Sequence, residues 1–464
     1  MKVLQFIFPV LLAAVGGAAV VSWLRMPPPA VEVRLPGAEA NIVHAAMGKG
    51  TFTPGSGRPA DIAGAWPCFR GAAHDNVCTD PAPLAAAWPS GGPKPLWSIP
   101  MGEGYASPAV WKGRAYVLDY DMANKADALR CLSLADGEEI WRYSYQVEVL
   151  RNHGMSRTMP SVGDQCVVSI GPKCHVLCLD PLRGSVRWTM DLVKDYGTRV
   201  PDWYAGQCPL LDGNRVILAP AGKALLVAVD AASGHVIWET PNPRGWAMSH
   251  SSVVPMEFAG RRMYVYSANE GTVGVDAASG RLLWETDAAP GGPTYWRITP
   301  TVVPAPVVLP EGRLFLAGGY GAGSLMLQLV GAGGGLQPKA LFRLPKEVFG
   351  ADQQTPIFYQ GHLYGVRAKP DDELVCLDLA GKVLWTSAPK RFGLGPLVIA
   401  GGMIYVMDDH GVLSLVRATP ERFELLAEAK VLEGPDSWGP LVPVAGRLIA
   451  RDFGRMVCLD VGKK

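Results

Sequence analysis

VDAASGHVIWET, residues 229–240, and VDAASGRLLWET, residues 275–286, are two copies of the stretch that decides the fold. In both copies Gly lies four residues before Trp, and Asp lies eight residues before it. The apolar run before Asp predicts one β-strand, and the run that ends in Trp predicts a second. Asp can bond the backbone ahead of it and Gly accepts a positive φ, so the residues between the runs predict a tight turn. Each copy therefore predicts a β-hairpin.

Three further segments carry the same pattern less completely. CLDPLRGSVRW (178–188) keeps the spacing, CLSLADGEEIW (131–141) has Ser133 at the Asp position, and CLDLAGKVLW (376–385) is one residue shorter. In one more unit we expect Phe342 to take the place of Trp. Self-similarity at a fixed interval indicates a repeat architecture.

A second signature marks the beginning of each unit: a small residue and Pro, then apolar residues, a Gly turn and another apolar run. Eight segments fit this description, although the fourth lacks Pro. Units of roughly 45 residues with four short strands are typical of the blades of a β-propeller. The apolar runs lack the periodicity of about 3.6 residues that helical repeats would need. The predicted starts are Ser107-Pro108, Met159-Pro160, Cys208-Pro209, Ser252-Val253, Thr299-Pro300, Thr355-Pro356, Gly395-Pro396 and Gly439-Pro440.

The last unit ends shortly after Asp460, before any strand that contains Trp. The segment KPLWSIP, residues 94–100, supplies such a strand near the front of the chain, with Trp97. Pairing of this strand with the last blade would close the ring and remove its open edges. We therefore predict an all-β fold, an eight-bladed β-propeller of four-stranded blades over residues 95–464.

Three segments precede the predicted ring. Residues 3–24 are uncharged and long enough to span a bilayer, so we expect residues 1–25 to form an N-terminal transmembrane helix that acts as a signal anchor, with a cleaved signal peptide as the alternative. Residues 26–65 are rich in Pro, Gly and Ala and predict an extended linker. Residues 66–94 are interpreted as a clasp that packs on the ring, with a binding element as the alternative. We expect the ring to be exported and to lie on the periplasmic side, anchored to the inner membrane.

Charge and cysteine usage exclude some classes of function. The formal net charge is +1 without any Lys- or Arg-rich cluster, so no nucleic-acid partner is expected. Cys68 and Cys78 flank one loop and could form a disulfide, and Cys166 could pair with Cys174 or Cys178. No C-x-x-C pair is present and the His residues are scattered, so no metal site is expected. Four cysteines at equivalent positions of different units are expected to be small buried side chains: Cys131, Cys178, Cys376 and Cys458.

The Asp-x-x-x-Gly-x-x-x-Trp segment, with the Ser/Thr-Pro pairs at unit starts, resembles the tryptophan-docking repeat of pyrroloquinoline-quinone (PQQ)-type propellers. That family includes quinoprotein alcohol dehydrogenases and BamB-type outer-membrane assembly factors. The resemblance covers roughly residues 95–464, and it implies the fold more strongly than a function, because the repeat builds blades in catalytic and non-catalytic members alike. It also implies that the repeat tryptophans are structural and pack between neighbouring blades: Trp141, Trp188, Trp238, Trp284 and Trp385.

The family's dehydrogenases need Ca²⁺ beside PQQ at the ring axis, held by carboxylate and amide oxygens, and an Asp that acts as base on the alcohol. Their large members also carry two adjacent Cys over the cofactor. This sequence has no Cys-Cys pair and no Glu, Asn and Asp that match the Ca²⁺ motif one by one. We therefore expect no catalytic residue and no cofactor, with a PQQ- and Ca²⁺-dependent dehydrogenase of alcohols or sugars as the alternative.

Loops just before the blade starts face one end of the predicted ring and hold aromatic residues and Arg, which are enriched in interaction hot spots. We expect this face to bind an envelope protein or a peptide, so that the chain is a non-catalytic scaffold in the cell envelope. The alternatives are that these side chains fill the central channel, or that the ring binds a ligand for a larger envelope complex. Arg157, His250 and Arg297 are the best single candidates, since a buried charge needs a partner. The other candidates on this face are Tyr105, Asn152, His153, Trp203, Tyr204, Trp246, Trp296, Asp352, Gln353, Gln354, Phe392 and Trp438.

Overall fold

The computed structural model describes residues 16–17, 46–151, 153–288, 302–332 and 335–463. The chain divides into two compact units, residues 1–42 and 43–464, and every element described below belongs to the second. Among the described residues, no helix has the length and apolar character needed to span a bilayer. The predicted anchor lies outside the described residues except for Gly16 and Gly17.

The second unit consists almost entirely of β-strands. Ahead of the repeats come a 3-10 helix (Met47–Lys49), β1 (Thr51–Pro54), β2 (Val77–Cys78) and β3 (Lys94–Pro100). The next strands are β4 (Ala109–Trp111), β5 (Arg114–Asp121), β6 (Ala126–Ser133), β7 (Glu139–Gln146), β8 (Ser161–Val162), β9 (Val167–Ile170), β10 (His175–Leu179), β11 (Val186–Asp191), followed by the short helix α1 (Leu192–Tyr196), then β12 (Leu210–Asp212), β13 (Arg215–Leu218), β14 (Ala224–Asp230), β15 (Val236–Pro241), β16 (Val254–Phe258), β17 (Arg261–Ser267), β18 (Thr272–Asp276) and β19 (Leu282–Thr286).

The second half of the ring repeats the same alternation of short strands and turns. It contains β20 (Val307–Leu309), a 3-10 helix (Pro310–Gly312), β21 (Arg313–Gly318), β22 (Gly323–Ala332), β23 (Gly335–Leu344), β24 (Ile357–Tyr359), β25 (His362–Val366), β26 (Leu374–Leu377), β27 (Val383–Thr386), β28 (Leu397–Ala400), β29 (Met403–Met407), β30 (Val412–Arg417), β31 (Leu425–Lys430), β32 (Val442–Val444), β33 (Arg447–Arg451) and β34 (Arg455–Asp460).

The strands from β4 to β34 form eight sheets, each of which is one blade with consecutive strands paired antiparallel. β1 and β3 join the first and last blades by antiparallel pairing, and β2 joins the seventh blade by parallel pairing. The first strands of neighbouring blades contact each other, as β4 does with β8, β8 with β12, β20 with β24, and β28 with β32. The eight-bladed propeller is thus confirmed. In the fifth blade the predicted start at Thr299-Pro300 lies outside the described residues, and the first strand begins at Val307, directly after Ala305-Pro306.

The last blade is completed by the N-terminal strand, as predicted. β3 pairs antiparallel with β34, and Trp97 lies opposite Cys458. Trp141 lies opposite Cys131 in the same way within the first blade. Because residues from both ends of the ring share one sheet, the ring is closed by backbone hydrogen bonds.

In most units the repeat Asp, Gly and Trp form one contact between neighbouring blades. The Asp230 carboxylate accepts a hydrogen bond from the backbone N–H of Ser233 at 2.9 Å and so shapes the turn. Gly234, at φ 74°, provides a flat surface on which Trp188 of the preceding blade lies, since a Cβ there would be 2.6 Å from the indole Cγ. Trp188 Nε1 also donates to the Ala231 carbonyl of the same turn at 3.0 Å.

The same contact recurs around the ring with local variation. An indole or phenyl ring covers the next turn glycine in the pairs Trp97 and Gly137, Trp141 and Gly184, Trp238 and Gly280, and Phe342 and Gly381. Trp385 Nε1 donates instead to the Thr419 carbonyl of the seventh blade at 2.8 Å. Trp284 is buried against Met263 within its own blade, with Nε1 3.5 Å from the sulfur.

The clasp crosses the ring rather than covering its outside. Pro67 accepts a hydrogen bond at 2.8 Å from the Val162 N–H, at the inner strand of the second blade. Three residues later, the Arg70 guanidinium donates at 3.4 Å to the Pro356 carbonyl, which begins the sixth blade. The second and sixth blades of an eight-bladed ring lie opposite each other, so this short segment spans the central channel.

Both ends of this crossing are tied to inner strands. Trp66 bridges to Val110 of β4 in the first blade, and Val77 of β2 pairs in parallel with Ile399 of β28 in the seventh. Part of the predicted linker is also ordered on the ring, because β1 adds a fifth strand to the outer edge of the first blade by pairing with β7. That edge is thereby covered.

All nine cysteines are free thiols, so the predicted Cys68–Cys78 disulfide is wrong. The clasp crosses the channel between the two residues. Cys68 lies beside Cys208 at the start of the third blade, whereas Cys78 belongs to β2 on the seventh blade. The alternative bridges from Cys166 are absent as well.

Replacing Trp97 by Ala should lower the free energy of unfolding by about 3–5 kcal/mol. The indole is 7% exposed, and its Nε1 donates to the Leu134 carbonyl of the first blade at 3.1 Å. Urea denaturation followed by tryptophan fluorescence measures the effect. Leu96→Ala is the matched control on the same strand, because that side chain is 37% exposed. Equal losses for both variants would contradict the docking role.

Gly234→Ala separates backbone strain from the contact with Trp188. The Gly213→Ala control has a similar positive φ of 62° but open space around the added Cβ. We expect Gly213→Ala to cost about 1 kcal/mol, from the left-handed backbone alone, and Gly234→Ala about 2–4 kcal/mol, since the indole must also move. Urea denaturation of the two variants measures these costs. Equal shifts of the urea midpoint would show that the contact between Gly234 and Trp188 contributes nothing to stability.

Candidate functional site

A cavity of about 260 Å³ lies at the ring axis. Its walls come from the loops that precede seven of the eight blades, from Tyr320 between β21 and β22, and from Phe69 of the clasp. Eight residues predicted for the binding face line it together: Tyr105, His153, Arg157, Trp203, His250, Gln353, Gln354 and Trp438. The structure therefore gathers residues that are far apart in sequence into one axial cavity.

The axial cavity opens at one end. His153 is exposed and Tyr320 is 49% exposed at its mouth, whereas Met159 and Cys208 are buried deeper in the wall. Phe69 lines the cavity from the clasp, which crosses the channel. The clasp therefore forms part of the wall of the axial cavity.

Hydrogen bonds hold the aromatic walls in place. The rings of Tyr105 and Trp438 are 5.2 Å apart between centroids. The Tyr105 hydroxyl donates to Asp436 at 3.3 Å, and Trp438 Nε1 donates to Asp409 at 2.7 Å. The Arg157 guanidinium lies over the Tyr105 ring, 5.3 Å from its centroid, in cation–π geometry. A ligand would meet a site whose aromatic residues are already oriented.

Arg157 gives the axial cavity a positive charge. It is the only Lys, Arg, Asp or Glu among the described residues that line the cavity. Burial lowers the pKa of Arg157 to about 10, so the guanidinium is still a cation at neutral pH.

His250 is neutral at physiological pH. Burial, and next the charge of Arg157, lowers its pKa to about 3. Nε2 lies 2.8 Å from the Tyr204 carbonyl, and a carbonyl only accepts, so Nε2 carries the proton. Nδ1 is then an unprotonated acceptor.

Several predicted residues of the binding face are structural. Tyr204 is buried, and its hydroxyl donates to the Leu150 carbonyl at 2.6 Å. Trp246 is buried beside Gly271 and beneath Arg244. Neither side chain lines the axial cavity, so their assignment to a docking surface is corrected: their loops turn these rings into the protein.

Phe392 and Asp352 also have other roles. Phe392 is fully buried in the core, and the Asp352 carboxylate accepts hydrogen bonds from the backbone N–H groups of Tyr320 and Lys369. The predicted residues Asn152, Trp296 and Arg297 lie outside the described residues.

Sequence reasoning missed two aromatic residues of the site, Phe69 and Tyr320. Tyr320 lies between β21 and β22 within a blade, whereas the prediction considered only loops before blades. Phe69 was assigned to the clasp, and nothing local in WPCFRG shows that this segment enters the channel. The available signal was the combination of an eightfold repeat with a segment that is too short to pass around the ring. Such a segment can reach the opposite side only by crossing the channel.

The described lining does not suit a Ca²⁺–PQQ pair. Ca²⁺ takes six to eight oxygen ligands, among them carboxylates, and no described lining residue is Asp or Glu. The nearby carboxylates of Asp409 and Asp436 accept hydrogen bonds from the aromatic walls. Within the described ranges, no cluster of three His, Cys, Asp or Glu could hold a metal ion.

Two segments, residues 77–198 and 125–380, match a protein-family model described as outer membrane protein assembly factor BamB. Together they span more than half of the chain. No curated protein matches the chain in sequence.

Solved structures of similar fold share little sequence with this chain. BamB from Moraxella catarrhalis is 15% identical with a TM-score of 0.54, covering 79% of this chain and 99% of that one. The computationally designed Ika8 protein is 10% identical with a TM-score of 0.53, covering 79% and 100%. Quinohemoprotein alcohol dehydrogenase from Comamonas testosteroni is 13% identical with a TM-score of 0.44, covering 86% and 81%. At these identities the likeness concerns the fold alone.

His250 should make the protein less stable in acid. Its pKa is about 3 in the folded state, against 6.5 for an ordinary His, so between these values only the unfolded state binds the proton. Stability then falls as the pH falls below about 6.5. We expect His250→Gln, which retains a donor for the Tyr204 carbonyl, to remove about 2 kcal/mol of this loss at pH 4.5. Urea denaturation at pH 4.5 and pH 8 tests this, because the contribution vanishes at pH 8. The same difference in stability between His250→Gln and the unsubstituted protein at both pH values would contradict this prediction.

Proposed function

Because the chain belongs to the family of PQQ-like β-propellers whose model is described as outer membrane protein assembly factor BamB, we propose that it is a non-catalytic interaction scaffold of the cell envelope. Its partner on this proposal is an envelope protein or a peptide that binds the face of the ring where the axial cavity opens.

The observation that carries the proposal is the preoriented aromatic mouth of the axial cavity. Trp203 and Trp438 are only partly buried there, and Tyr320 is exposed. Trp, Tyr and Arg dominate the binding energy of protein interfaces when they cluster at the centre of a contact. A closed ring of eight sheets holds this cluster rigidly, so binding loses little conformational entropy.

The proposed location rests on the N-terminal sequence. The uncharged stretch of residues 3–24 supports export and an anchor in the inner membrane, with the ring on the periplasmic side. The long Pro- and Gly-rich segment that follows would let the ring reach partners away from the membrane surface.

The alternative, a PQQ- and Ca²⁺-dependent dehydrogenase, requires Ca²⁺ ligands that the described lining does not offer. A titration with PQQ in the presence and in the absence of Ca²⁺ separates the two proposals, because a dehydrogenase of this kind must bind PQQ tightly only when Ca²⁺ is present.

Photo-crosslinking in the cells that produce the full chain tests the scaffold proposal. A photoreactive amino acid at His153 or at Tyr320, at the mouth of the axial cavity, should capture the same envelope protein. Trp203→Ala should weaken this capture, since a central interface Trp contributes about 2 kcal/mol or more. The controls are Val236 and Leu282, which are exposed on the outer strands β15 and β19. Equal capture from the control positions, or none from the mouth, would overturn the proposal.

A further inference from the structure

We infer that a halide ion, which is chloride in ordinary saline solution, binds beside Arg70 in a small cavity between the clasp and the third and fourth blades. Arg70 belongs to the clasp and does not line the axial cavity. Phe69, Cys208 and Ser252 line both cavities, so the two are neighbours. The inference does not depend on the scaffold role, because it concerns an ion beside the clasp rather than a partner at the mouth of the axial cavity.

Arg70 is a buried cation with few acceptors around it. The residue is 3% exposed, and burial lowers its pKa to about 10, so the guanidinium is charged at neutral pH. One N–H group donates to the Pro356 carbonyl at 3.4 Å, whereas Nε has no acceptor among the described residues. The charge of Asp75 opposes the lowering of the pKa, but one oxygen of that carboxylate accepts a hydrogen bond from the Val77 N–H at 2.9 Å. A buried guanidinium in these surroundings is costly until another acceptor approaches it.

The rest of the described cavity wall is neutral. Arg70 is the only Lys, Arg, Asp or Glu among the described residues that line this cavity. Burial raises the pKa of Cys68 to about 12 and that of Cys208 to about 11, so both are thiols at neutral pH. Burial, and next the charge of Arg70, lowers the pKa of His74 to about 4, so the imidazole is neutral. The described wall therefore supplies no counter-ion for Arg70, and an anion inside the cavity would supply one.

The size of the cavity restricts the anion to a single atom. Its volume is about 10 Å³, which is roughly the space that one water-sized group needs. A carboxylate, a sulfate or a phosphate is larger than this. The Ser252 hydroxyl accepts a hydrogen bond from the Cys208 N–H at 3.0 Å, so its own hydrogen is available to donate to the ion. A halide would thus meet a guanidinium and a hydroxyl in a wall that is otherwise largely apolar.

The ion would join the clasp to two blades of the ring. Arg70 comes from the clasp, whereas Cys208 and Ser252 lie at the starts of the third and fourth blades. Arg70 has a φ of 66°, and a residue with a side chain keeps this left-handed conformation only where its surroundings hold it. A ligand that binds the folded protein and not the unfolded chain stabilises the fold. Chloride should therefore stabilise the protein.

Thermal unfolding of the purified full-length chain tests the inference. Sodium chloride replaces sodium gluconate at constant ionic strength, since gluconate is too large for the cavity. The Tm should rise by about 2 °C or more and then level off as the site fills. Bromide should act like chloride, and fluoride should act less, because removal from water costs more for a smaller ion. Equal Tm values in chloride and gluconate would overturn the inference.

Arg70→Gln should remove the difference in Tm between chloride and gluconate, because the variant lacks the charge that holds the ion. Arg58→Gln is the matched control, since this arginine is exposed and does not line the cavity, and it should retain the difference. A chloride effect of the same size in both variants would show general salt action and would contradict a site at Arg70.

A crystal of the unsubstituted protein soaked in sodium bromide decides the matter even if Arg70→Gln fails to fold. Anomalous scattering should show one bromide within hydrogen-bond distance of the side chains of Arg70 and Ser252. A water molecule at that position without any anomalous signal would overturn the inference.

Discussion

The packing of an aromatic ring on a glycine turn of the next blade is the contact on which the ring depends. Trp188 can lie on Gly234 only because that glycine has no side chain and a positive φ. The turn holds this shape because Asp230 accepts backbone hydrogen bonds. Three residue types therefore link local backbone geometry to the association of blades. A four-stranded sheet alone buries little apolar surface, and its stability comes from its two neighbours.

The ring positions the site, and the clasp contributes to its wall. Because the first strand of each blade lies at the axis, loops from seven blades converge on one point. The clasp crosses the channel between opposite blades and contributes Phe69 to the wall of the cavity. Within it, Tyr105 contacts both Trp438 and Arg157. Its hydroxyl is anchored to Asp436, and one residue thus connects the aromatic wall with the cationic one.

Periodic features could be predicted from the sequence because they repeat local physics. The hairpins, the turn glycines and the closing strand with Trp97 follow from spacing alone. Features that depend on a single long-range contact could not be predicted. Cys68 and Cys78 are close in sequence, yet the chain between them crosses the channel. Tyr204 follows Trp203 directly, and Trp246 lies in the loop before the next blade, and only tertiary packing decides which of these rings is buried.

The closing sheet has a consequence for how the chain acquires its structure. β3 must wait for β34, which lies more than three hundred residues later, so the ring cannot be completed until the eighth blade has been synthesised. Contacts of such high sequence separation are formed slowly, because the entropy of the intervening loop is lost first. Until then the nascent propeller has two unpaired edges, which can associate with other chains. For a chain of this architecture, protection during its synthesis matters as much as the stability of the finished ring.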